Sequence, residues 1–468
     1  MWINRYQKKQ YFIKIINNIN NQSLIVRGAR QVGKTSFVLN ILEDIKAPQI
    51  YIDCLRPGGF ILGSSKLGSN FSVLGKKNRL GRDFLGRSPT AFINNIHLYF
   101  KSHGPIDTDT SPIIFIDEAD QAPYVLEWIQ TLAEYSAFKF IITGSNLENV
   151  SVKNAATGRK CFFDLYPITF YDYLHAANRE DLVNYCNEQS LKKFDHSDYF
   201  HHQLTEVFQI YMRLGGMPRL IDCYLDPKKN SLPLPHIASD LVTTIEENVK
   251  AVLGEKAKLY EYHDVLRTLA RLSLNTLKYK HLQVSHAGRL EAKRLVIKTI
   301  GARVAHKIRL MNAKSDLSKY ILFDSGIANF LLAGSNLLMN VLSSEHMGIL
   351  SETVIANEII AQLTTRDDLF YWKSENMAEV EFLIRSPVLA GIDVKTKDGT
   401  NKSLASFALR EKKATILVKI ADKPPHFDKN YIAQLSTGTE QRQIPLLKVP
   451  HYLVPRLFEY LKEFKDIL

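Results

Sequence analysis

Residues 28–35 read GARQVGKT and match the G-x-x-x-x-G-K-T pattern of a phosphate-binding loop. The glycines let the backbone turn tightly, so that successive N–H groups and the start of the following helix face the phosphates. We expect Lys34 to reach the β- and γ-phosphates of a nucleotide and the Thr35 hydroxyl to bind Mg²⁺. The predicted nucleotide-binding residues are Gly28, Ala29, Arg30, Gln31, Val32, Gly33, Lys34, Thr35, Ser36 and Asn146.

Two acids, Asp117 and Glu118, end the apolar stretch of PIIFIDEAD (112–120). Asp117 is predicted to hold Mg²⁺ through water, and Glu118 to polarise the attacking water, because phosphoryl transfer depends on in-line positioning. Asn146, in TGSN, could sense the γ-phosphate, although a plain turn after a strand explains it equally well. Arg159 could stabilise transition-state charge, including from a neighbouring subunit, or be an ordinary surface arginine.

A second set of chemical residues lies in AEVEFLIRSPVLAGIDVKTK (378–397), which contains Glu381, Asp393 and Lys395. Strand alternation places Asp393 and Lys395 on one face, and Glu352 or Glu358 on the preceding helical stretch could complete the cluster. Carboxylates on neighbouring strands could hold Mg²⁺ while the lysine activates water or steadies a phosphate, as in metal-dependent nucleases. The alternative is that these charges are the polar faces of half-buried strands. Glu381 also stands where such cores carry aspartate.

The elements that must position these residues alternate between strand and helix. Strands are predicted at 23–27, 51–55, 112–120 and 139–146, with helical stretches between them, which indicates a parallel sheet covered on both faces. Residues 56–90 are interpreted as a mobile loop over the nucleotide edge. Around the second set we predict helix 350–363, strands 369–372, 380–384 and 392–396, helix 402–412 and strand 415–420. This αβββαβ order is typical of restriction-endonuclease-like folds.

Composition limits the class of protein. The chain has 468 residues, a net charge of +12 and four scattered cysteines without a CxxC pair. We therefore expect two to four domains and reduced thiols in a cytoplasmic protein. We find no apolar run of membrane-spanning length and no signal peptide in MWINRYQKKQ, so no membrane association is expected. The positive charge permits DNA binding without establishing it.

The motifs GARQVGKTS, FIDEAD, TGSN, Gly158-Arg159 and LYPITFYDYL (165–174) occur in the order seen in a known family. The chain resembles the prokaryotic AAA-type ATPases of the AAA_14 class, which carry a C-terminal domain called DUF4143. GGMP (215–218), KYILFDSG (319–326) and IPLLKVPHYLV, which ends at residue 454, are similar to later landmarks of that family. The glycine-rich stretch 56–90 departs from the family pattern.

The resemblance implies ATP binding with Mg²⁺, ATP hydrolysis and a helical, winged-helix-like middle. There, residues 266–272 have helical spacing, and a turn at Ser285 to Gly288 precedes a basic helix. Its cations could share one flank against DNA, or the helix could pack on the ATPase; they are Arg289, Lys293, Arg294 and Lys298. The expected domains are a P-loop ATPase at 1–165, a helical connector at 166–235, the winged-helix-like part at 236–335 and a nuclease-like DUF4143 domain at 336–468.

Three functions fit the sequence. The first is an ATPase that couples hydrolysis to the C-terminal nuclease-like or binding domain. The second is a Mg²⁺-dependent DNA endonuclease gated by ATP. The third is a regulatory switch in which slow ATP turnover controls a partner. The sequence is compatible with three kinds of interaction partner: DNA, another protein, and further copies of the same chain.

Overall fold

The structure is a computed structural model of the full chain. It describes all residues except 1, 2, 4, 21, 58–78, 104–110, 135–136, 149–157, 230–231, 254–258, 274, 276, 278–288, 312–316, 339–342, 376–377, 396–398, 436–438 and 468. Contacts divide the chain into two compact units. The first, here called the nucleotide unit, is Arg5–Tyr166; the second, here called the C-terminal unit, is Pro167–Leu468 with Met1–Asn4. Among the described helices, none is both long and apolar enough to cross a membrane.

The nucleotide unit contains a six-stranded sheet in the order β3-β2-β4-β5-β1-β6, and its strands pair in parallel. Its elements are α1 (Tyr6–Asn18), β1 (Ser23–Arg27), α2 (Lys34–Glu43), β2 (Gln49–Asp53), β3 (Arg79–Gly81), α3 (Pro89–His103), β4 (Ile113–Asp117), α4 (Tyr124–Glu127), α5 (Ile129–Glu134), β5 (Lys139–Thr143) and β6 (Lys160–Asp164). Strands β1, β4 and β5 are almost wholly buried, as expected for a sheet covered on both faces.

The predicted strands of this unit are present, with shifted ends. The strand predicted at 51–55 runs from Gln49 to Asp53, and that predicted at 139–146 ends at Thr143. The loop predicted at 56–90 is wrong at its C-terminal side, where Arg79–Gly81 adds a strand parallel to β2 and a helical turn follows at Arg82–Leu85. Leu80 and Leu85 are buried in the core there, which explains the order. Residues 58–78 lie outside the described residues.

The C-terminal unit combines helices with an eight-stranded sheet, in the order β13-β16-β12-β11-β10-β9-β7-β8. Its helices are α6 (Phe170–Ala176), α7 (Glu180–Glu188), α8 (Asp198–Leu214), α9 (Pro218–Leu225), α10 (Leu234–Leu253), α11 (Leu259–Arg271), α12 (Arg289–Gly301), α13 (Ser325–Ala333), α14 (Ser344–Gln362), α15 (Lys402–Arg410) and α16 (Leu457–Ile467). Its strands are β7 (Ala305–Leu310), β8 (Ser318–Leu322), β9 (Leu369–Lys373), β10 (Glu379–Ile384), β11 (Ala390–Val394), β12 (Ile416–Ile420), β13 (His426–Asp428), β14 (Ile432–Gln434), β15 (Gln441–Gln443) and β16 (Leu446–Val449).

Helix α14, strands β9 to β11, helix α15 and strand β12 follow one another in the predicted αβββαβ order. Strand β10 is antiparallel to β9 and to β11, whereas β11 is parallel to β12. The strand bearing Asp393 is buried along its whole length, so it is not the half-buried strand that alternation alone suggests. Apolar residues of α15, such as Leu404 and Phe407, pack on this sheet.

The middle of the chain joins the same sheet. Three helices, α10 to α12, precede the antiparallel hairpin β7–β8, which is the order of a winged helix. Strand β7 also pairs in parallel with β9 through Arg309 opposite Phe370 and Leu310 opposite Tyr371. The hairpin is therefore part of the eight-stranded sheet, and the expected boundary at 335/336 separates strands of one sheet. The winged-helix interpretation and the four-part division stay predictions; the turn at Ser285 to Gly288 lies outside the described residues.

Candidate nucleotide-binding site and a second charged cluster

The phosphate loop connects β1 to α2 through two left-handed backbone positions. Gln31 has φ 63° and Gly33 has φ 89°, and Gly33 is the residue before the first turn of α2. At Gly28 the backbone approaches closely, because a Cβ there would lie 2.4 Å from the carbonyl oxygen of Leu165. These positions explain why the loop needs glycine at its start and at its helix junction. Ala29, Arg30 and Ser36 complete the loop and the first helical turn.

Lys34 lies inside the loop rather than in solvent. Its Nζ donates to the carbonyl oxygens of Gly28 and Ala29, each at 3.0 Å, and to Ser145 Oγ at 3.1 Å. Burial lowers the pKa of Lys34, and the nearby Glu118 and Asp117 oppose that shift. The ammonium group is thus held among acceptors at the position where the motif predicts phosphate oxygens.

Asp117 receives hydrogen bonds from three hydroxyl groups. Thr35 Oγ1 donates to its two carboxylate oxygens at 3.0 and 2.8 Å, Tyr51 Oη donates at 3.1 Å, and Thr143 Oγ1 donates as well. Burial raises the pKa of Asp117, and the Thr143, Thr35 and Tyr51 hydrogen bonds counteract this. The two residues predicted to hold Mg²⁺, Thr35 and Asp117, are therefore adjacent. Oxygen ligands of this kind suit Mg²⁺.

Glu118 follows directly, in a left-handed conformation with φ 52°. Burial raises the pKa of its carboxyl group to about 7, against the opposing charge of Lys34. A carboxyl group with a pKa near neutrality is suited to accept a proton. A positive φ at a non-glycine residue is uncommon and often marks a functional position.

Of the remaining predicted residues of this unit, Asn146 lies near the phosphate loop and Arg159 does not. Asn146 is buried just beyond β5, next to Ser145, whose oxygen binds Lys34. Arg159 lies at the other edge of the sheet, where its carbonyl accepts from Ser23 N at 2.9 Å, at the N-terminal end of β1. The phosphate loop follows the C-terminal end of that strand, about 13 Å away. Arg159 therefore does not join the phosphate loop of its own chain, and a role towards a neighbouring subunit stays a prediction.

In the second cluster Glu381 and Asp393 face each other across two antiparallel strands. Phe382 pairs with Ile392, which places Glu381 opposite Asp393. Lys395 Nζ lies 3.2 Å from Glu381 Oε1 and 2.9 Å from Asp393 Oδ1. The structure thus brings these three predicted residues together on one face of the sheet.

The Glu381 carboxyl group is strongly affected by burial and by its neighbours. Burial raises the pKa of Glu381 to about 8. The hydrogen bond with Asp393 and the negative charge of Asp393 raise the pKa in the same direction. Burial opposes the charge on Lys395, but Glu381 and Asp393 raise its pKa above the usual value. With both acids ionised, Glu381 Oε2 and Asp393 Oδ2 are buried and receive no hydrogen bond from the described part of the chain. Lys395 therefore contacts one oxygen of each carboxylate, Glu381 Oε1 and Asp393 Oδ1.

Of the two helical acids predicted to complete this cluster, only Glu352 lies near it. Burial raises the pKa of Glu352 to about 7, and its charged neighbours are Lys319, Lys395, Glu379 and Asp393. Glu358 is wrong as a member, because it accepts from Phe170 N and Tyr211 Oη, each at 2.8 Å. Six residues along a helix correspond to about 600° of rotation, so the two acids point in different directions.

Sequence reasoning missed an ion pair beside this cluster and three polar residues at the phosphate loop. Lys319, almost fully buried on β8, passes 4.6 Å from the centre of the Tyr371 ring and pairs with Glu379. At the phosphate loop Tyr51, Thr143 and Ser145 were missed as partners of Asp117 and Lys34. Only TGSN (143–146), noted for its polar end, contained a signal for two of them.

Neither site shows a preformed cluster of metal ligands. Within the described ranges, no group of three or more His, Cys, Asp or Glu side chains could hold a metal ion. In the second cluster the cationic Lys395 lies between Glu381 and Asp393. Metal binding by Glu352, Glu381 and Asp393 stays a prediction.

The four cysteines are free thiols: Cys54, Cys161, Cys186 and Cys223.

A parallel sheet, a phosphate loop between its strand β1 and helix α2, and an acid at the end of β4 define a P-loop nucleotide-binding domain. Family models agree with this class: residues 20–174 match AAA_14, described as an AAA domain, and residues 347–437 match DUF4143, a domain of unknown function. The chain therefore combines an AAA domain of the AAA_14 class with a DUF4143 domain. No curated protein matches the chain.

Solved structures with similarity to the chain are distant. The Pif1 helicase from Candida albicans has 11% identity and a TM-score of 0.24, over 44% of this chain and 47% of that one. Drosophila ORC bound to DNA has 13% identity and a TM-score of 0.27, over 79% and 88%. The RuvB Holliday junction branch migration motor of Thermotoga maritima has 11% identity and a TM-score of 0.28, over 66% and 90%. The chain thus spans less than half of the Pif1 structure.

Proposed function

We propose that this protein binds ATP with Mg²⁺ and hydrolyses it. The observation that carries the proposal is the joining of the loop lysine, the Thr35–Asp117 pair and Glu118 at the carboxyl end of one parallel sheet. Ligands of open α/β sheets bind at this edge. The fold supplies a loop of N–H groups for the phosphates and an acid of near-neutral pKa for the water.

Each residue has a distinct task in this proposal. Lys34 exchanges its bonds to the Gly28 and Ala29 carbonyl oxygens for bonds to phosphate oxygens. Thr35 and Asp117 would hold Mg²⁺, which when bound neutralises charge on the β- and γ-phosphates. Glu118 orients the attacking water and accepts its proton, and Asn146 contacts the γ-phosphate.

The direct test is phosphate release from ATP by the full chain, with and without DNA. We expect turnover that disappears when EDTA removes Mg²⁺ and returns when Mg²⁺ is restored. Nucleotide affinity is measured in parallel by calorimetry. If a folded protein neither binds nor hydrolyses ATP at millimolar nucleotide, the proposal is wrong. Stimulation by DNA would identify a nucleic-acid partner, for which the exposed Lys293 and Arg294 of α12 are the first candidates.

A second candidate function is Mg²⁺-dependent DNA cleavage by the C-terminal unit, gated by ATP. The observation that favours it is the directly opposed Glu381–Asp393 pair with Lys395 between the carboxylates and Glu352 nearby. A restriction-endonuclease-like fold for this part is proposed from the αβββαβ order. One observation speaks against it. Lys395 already neutralises part of the charge of Glu381 and Asp393, so a metal ion would have to displace Lys395 or bind the carboxylates beside it.

Plasmid nicking separates this candidate from the ATPase alone. The wild type should nick plasmid DNA with Mn²⁺ or Mg²⁺, and Lys395→Ala should not. Lys412→Ala is the matched control, because Lys412 pairs with Glu440 on the surface. Calorimetry with Mn²⁺ adds a direct readout of metal binding. If neither nicking nor metal binding is observed, the cleavage function is wrong, and the protein is an ATPase whose C-terminal unit serves as a binding module.

The third candidate is a switch in which bound ATP controls a partner. Slow turnover together with tight nucleotide retention would favour it over a coupled ATPase. A cytoplasmic location and a homo-oligomer stay predictions. Light scattering with and without ATP would test the oligomer, in which Arg159 of one copy could approach the phosphate loop of another.

A further inference from the structure

Arg5 lies beneath the phosphate loop, at the start of α1. Its guanidinium is buried and donates through Nη2 to the carbonyl oxygen of Val32 and through Nη1 to the carbonyl oxygen of Tyr166. Val32 is the loop residue between the two left-handed positions Gln31 and Gly33. A single buried cation therefore connects the phosphate loop to the last residue of the nucleotide unit.

The segment 164–166 lies along the back of the loop at two further points. Leu165 N donates to Arg27 O at 2.8 Å, and the Leu165 carbonyl lies so close to Gly28 that no side chain fits there. Arg27 also pairs with both carboxylate oxygens of Asp164, at 2.7 and 3.1 Å. The loop thus rests on a continuous piece of backbone, which leads directly into Pro167.

We propose that Arg5 is a positioning residue that locks the phosphate loop onto residues 164–166, so that ATP binding also orders this segment. The inference rests on the proposed binding of ATP to the loop. In this proposal Arg5 connects the Val32 carbonyl of the loop to the Tyr166 carbonyl at the end of the nucleotide unit.

The physical reason is the planarity of the peptide bond. The Val32 carbonyl and the Gly33 N–H belong to one rigid unit and point in opposite directions. When Arg5 holds the carbonyl below the loop, the Gly33 N–H must point to the other side, where phosphate would bind. Because Gln31 is a non-glycine residue with a positive φ, the loop beside this peptide has a conformation that is costly to keep without supporting contacts.

The chemistry of the side chain matters as well as its charge. A guanidinium presents several donors in a fixed fork and can serve two carbonyl oxygens at once. An ammonium group at the end of a lysine is a point charge that lacks this planar fork. Arg5→Lys therefore keeps the charge but replaces two separate nitrogens, each of which serves one carbonyl oxygen, with a single nitrogen on a shorter side chain.

The experiment compares Arg5→Ala, Arg5→Lys and the control Lys14→Ala in the full chain. Lys14 lies on the same helix, is exposed, and its removal takes away one positive charge without touching the loop. ATP affinity is measured by calorimetry, and amide hydrogen exchange is followed over residues 160–168 with and without ATP. Melting temperatures without nucleotide show whether each variant folds.

We expect ATP binding to weaken about tenfold or more in Arg5→Ala, by an intermediate factor in Arg5→Lys, and not at all in Lys14→Ala. ATP should slow exchange over 160–168 in the wild type and in Lys14→Ala, but not in Arg5→Ala at saturating ATP. A role in stability alone would lower the melting temperature and leave this ATP-dependent protection intact.

Two outcomes overturn the proposal. Wild-type affinity and protection in a folded Arg5→Lys show that charge alone suffices, and this test remains decisive if Arg5→Ala does not fold. Unchanged ATP-dependent protection in Arg5→Ala removes the connection to Tyr166. If the wild type itself does not bind ATP, the proposed function has failed instead, which the same calorimetry shows.

Discussion

In the nucleotide unit the buried Asp117 is surrounded by hydroxyl groups, whereas in the C-terminal unit the buried Asp393 faces a lysine and a second acid. Neutral donors such as the Thr35 hydroxyl can rotate to become metal ligands without a conflict of charge. Lys395 cannot do so, because an ammonium has no acceptor. The first site therefore has neutral hydroxyl oxygens beside its acid, whereas the second has already neutralised part of its own charge.

The two lysines show the same difference. Lys34 bonds to the carbonyl oxygens of Gly28 and Ala29 and to a hydroxyl, all neutral acceptors that it can leave for a phosphate. Lys395 is held by two carboxylates, a stronger set of acceptors. Acids and a lysine at suitable spacing therefore do not by themselves distinguish a ligand site from a cluster that neutralises its own charge.

Lys34→Ala should have the largest effect at the phosphate loop. We expect ATP binding and turnover to fall below detection, because the ammonium is the cation that the loop offers to the β- and γ-phosphates. Calorimetry and phosphate release measure this, with Lys14→Ala as the control. Unchanged hydrolysis in a folded Lys34→Ala variant would refute the phosphate-loop assignment.

Glu118→Gln should separate binding from chemistry. The amide keeps the shape of the side chain and leaves Thr35 and Asp117 intact, so ATP should still bind. Turnover should drop by about 10² to 10⁴-fold, the usual effect of losing a general base. Binding is measured by calorimetry and turnover by phosphate release. A parallel loss of both would show instead that Glu118 has a structural role.

The pH dependence of turnover gives a smaller and complementary effect. Because burial raises the pKa of Glu118 to about 7, the group is protonated and unable to accept a proton below that pH. We expect kcat/KM to fall about tenfold for each pH unit below 7 and to level off above it. The residual kcat/KM of Glu118→Gln should not show this decrease below pH 7. A flat wild-type profile between pH 5.5 and 8 would contradict the assignment.

The smallest effect concerns the stability of the second cluster. The pKa of Glu381 in the folded protein, about 8, lies above the value near 4.5 of a free glutamic acid, so the folded state binds more protons between these values. Stability should therefore decrease as pH rises through this range. Glu381→Gln removes the repulsion and should raise the melting temperature at pH 8.5 by about 2–4 °C, with little gain at pH 5.

The matched control for that experiment is Glu440→Gln, which changes an exposed acid of the same unit. Thermal unfolding is followed at both pH values. A lower melting temperature for Glu381→Gln at pH 8.5 would mean that the Glu381–Lys395 contact outweighs the repulsion. The cluster would then be a stabilising ion pair rather than a strained site.

Local pattern predicted much of the nucleotide unit. SLIVR is a strand with the predicted ends, and the loop that follows it has the strand-to-helix context that its motif requires. The polar partners were harder to predict, because Tyr51 reaches Asp117 from a strand 66 residues away. In the C-terminal unit the order of helix α14 and its strands was predictable from apolar runs. The choice between Glu352 and Glu358 was not, since it depends on which face of α14 meets the sheet.

The phosphate loop could be predicted from sequence alone, as could Asp117 and Glu118 at the end of β4 and the shared face of Asp393 and Lys395, because each depends on residues a few positions apart. Tertiary structure is needed to place Arg159 at the end of the sheet opposite the phosphate loop, to join the hairpin β7–β8 to the C-terminal sheet, and to bring Arg5 to Val32. These depend on strand order and on contacts between distant segments. Such contacts arise when buried surfaces pack together, and no periodicity along the chain records which surfaces meet.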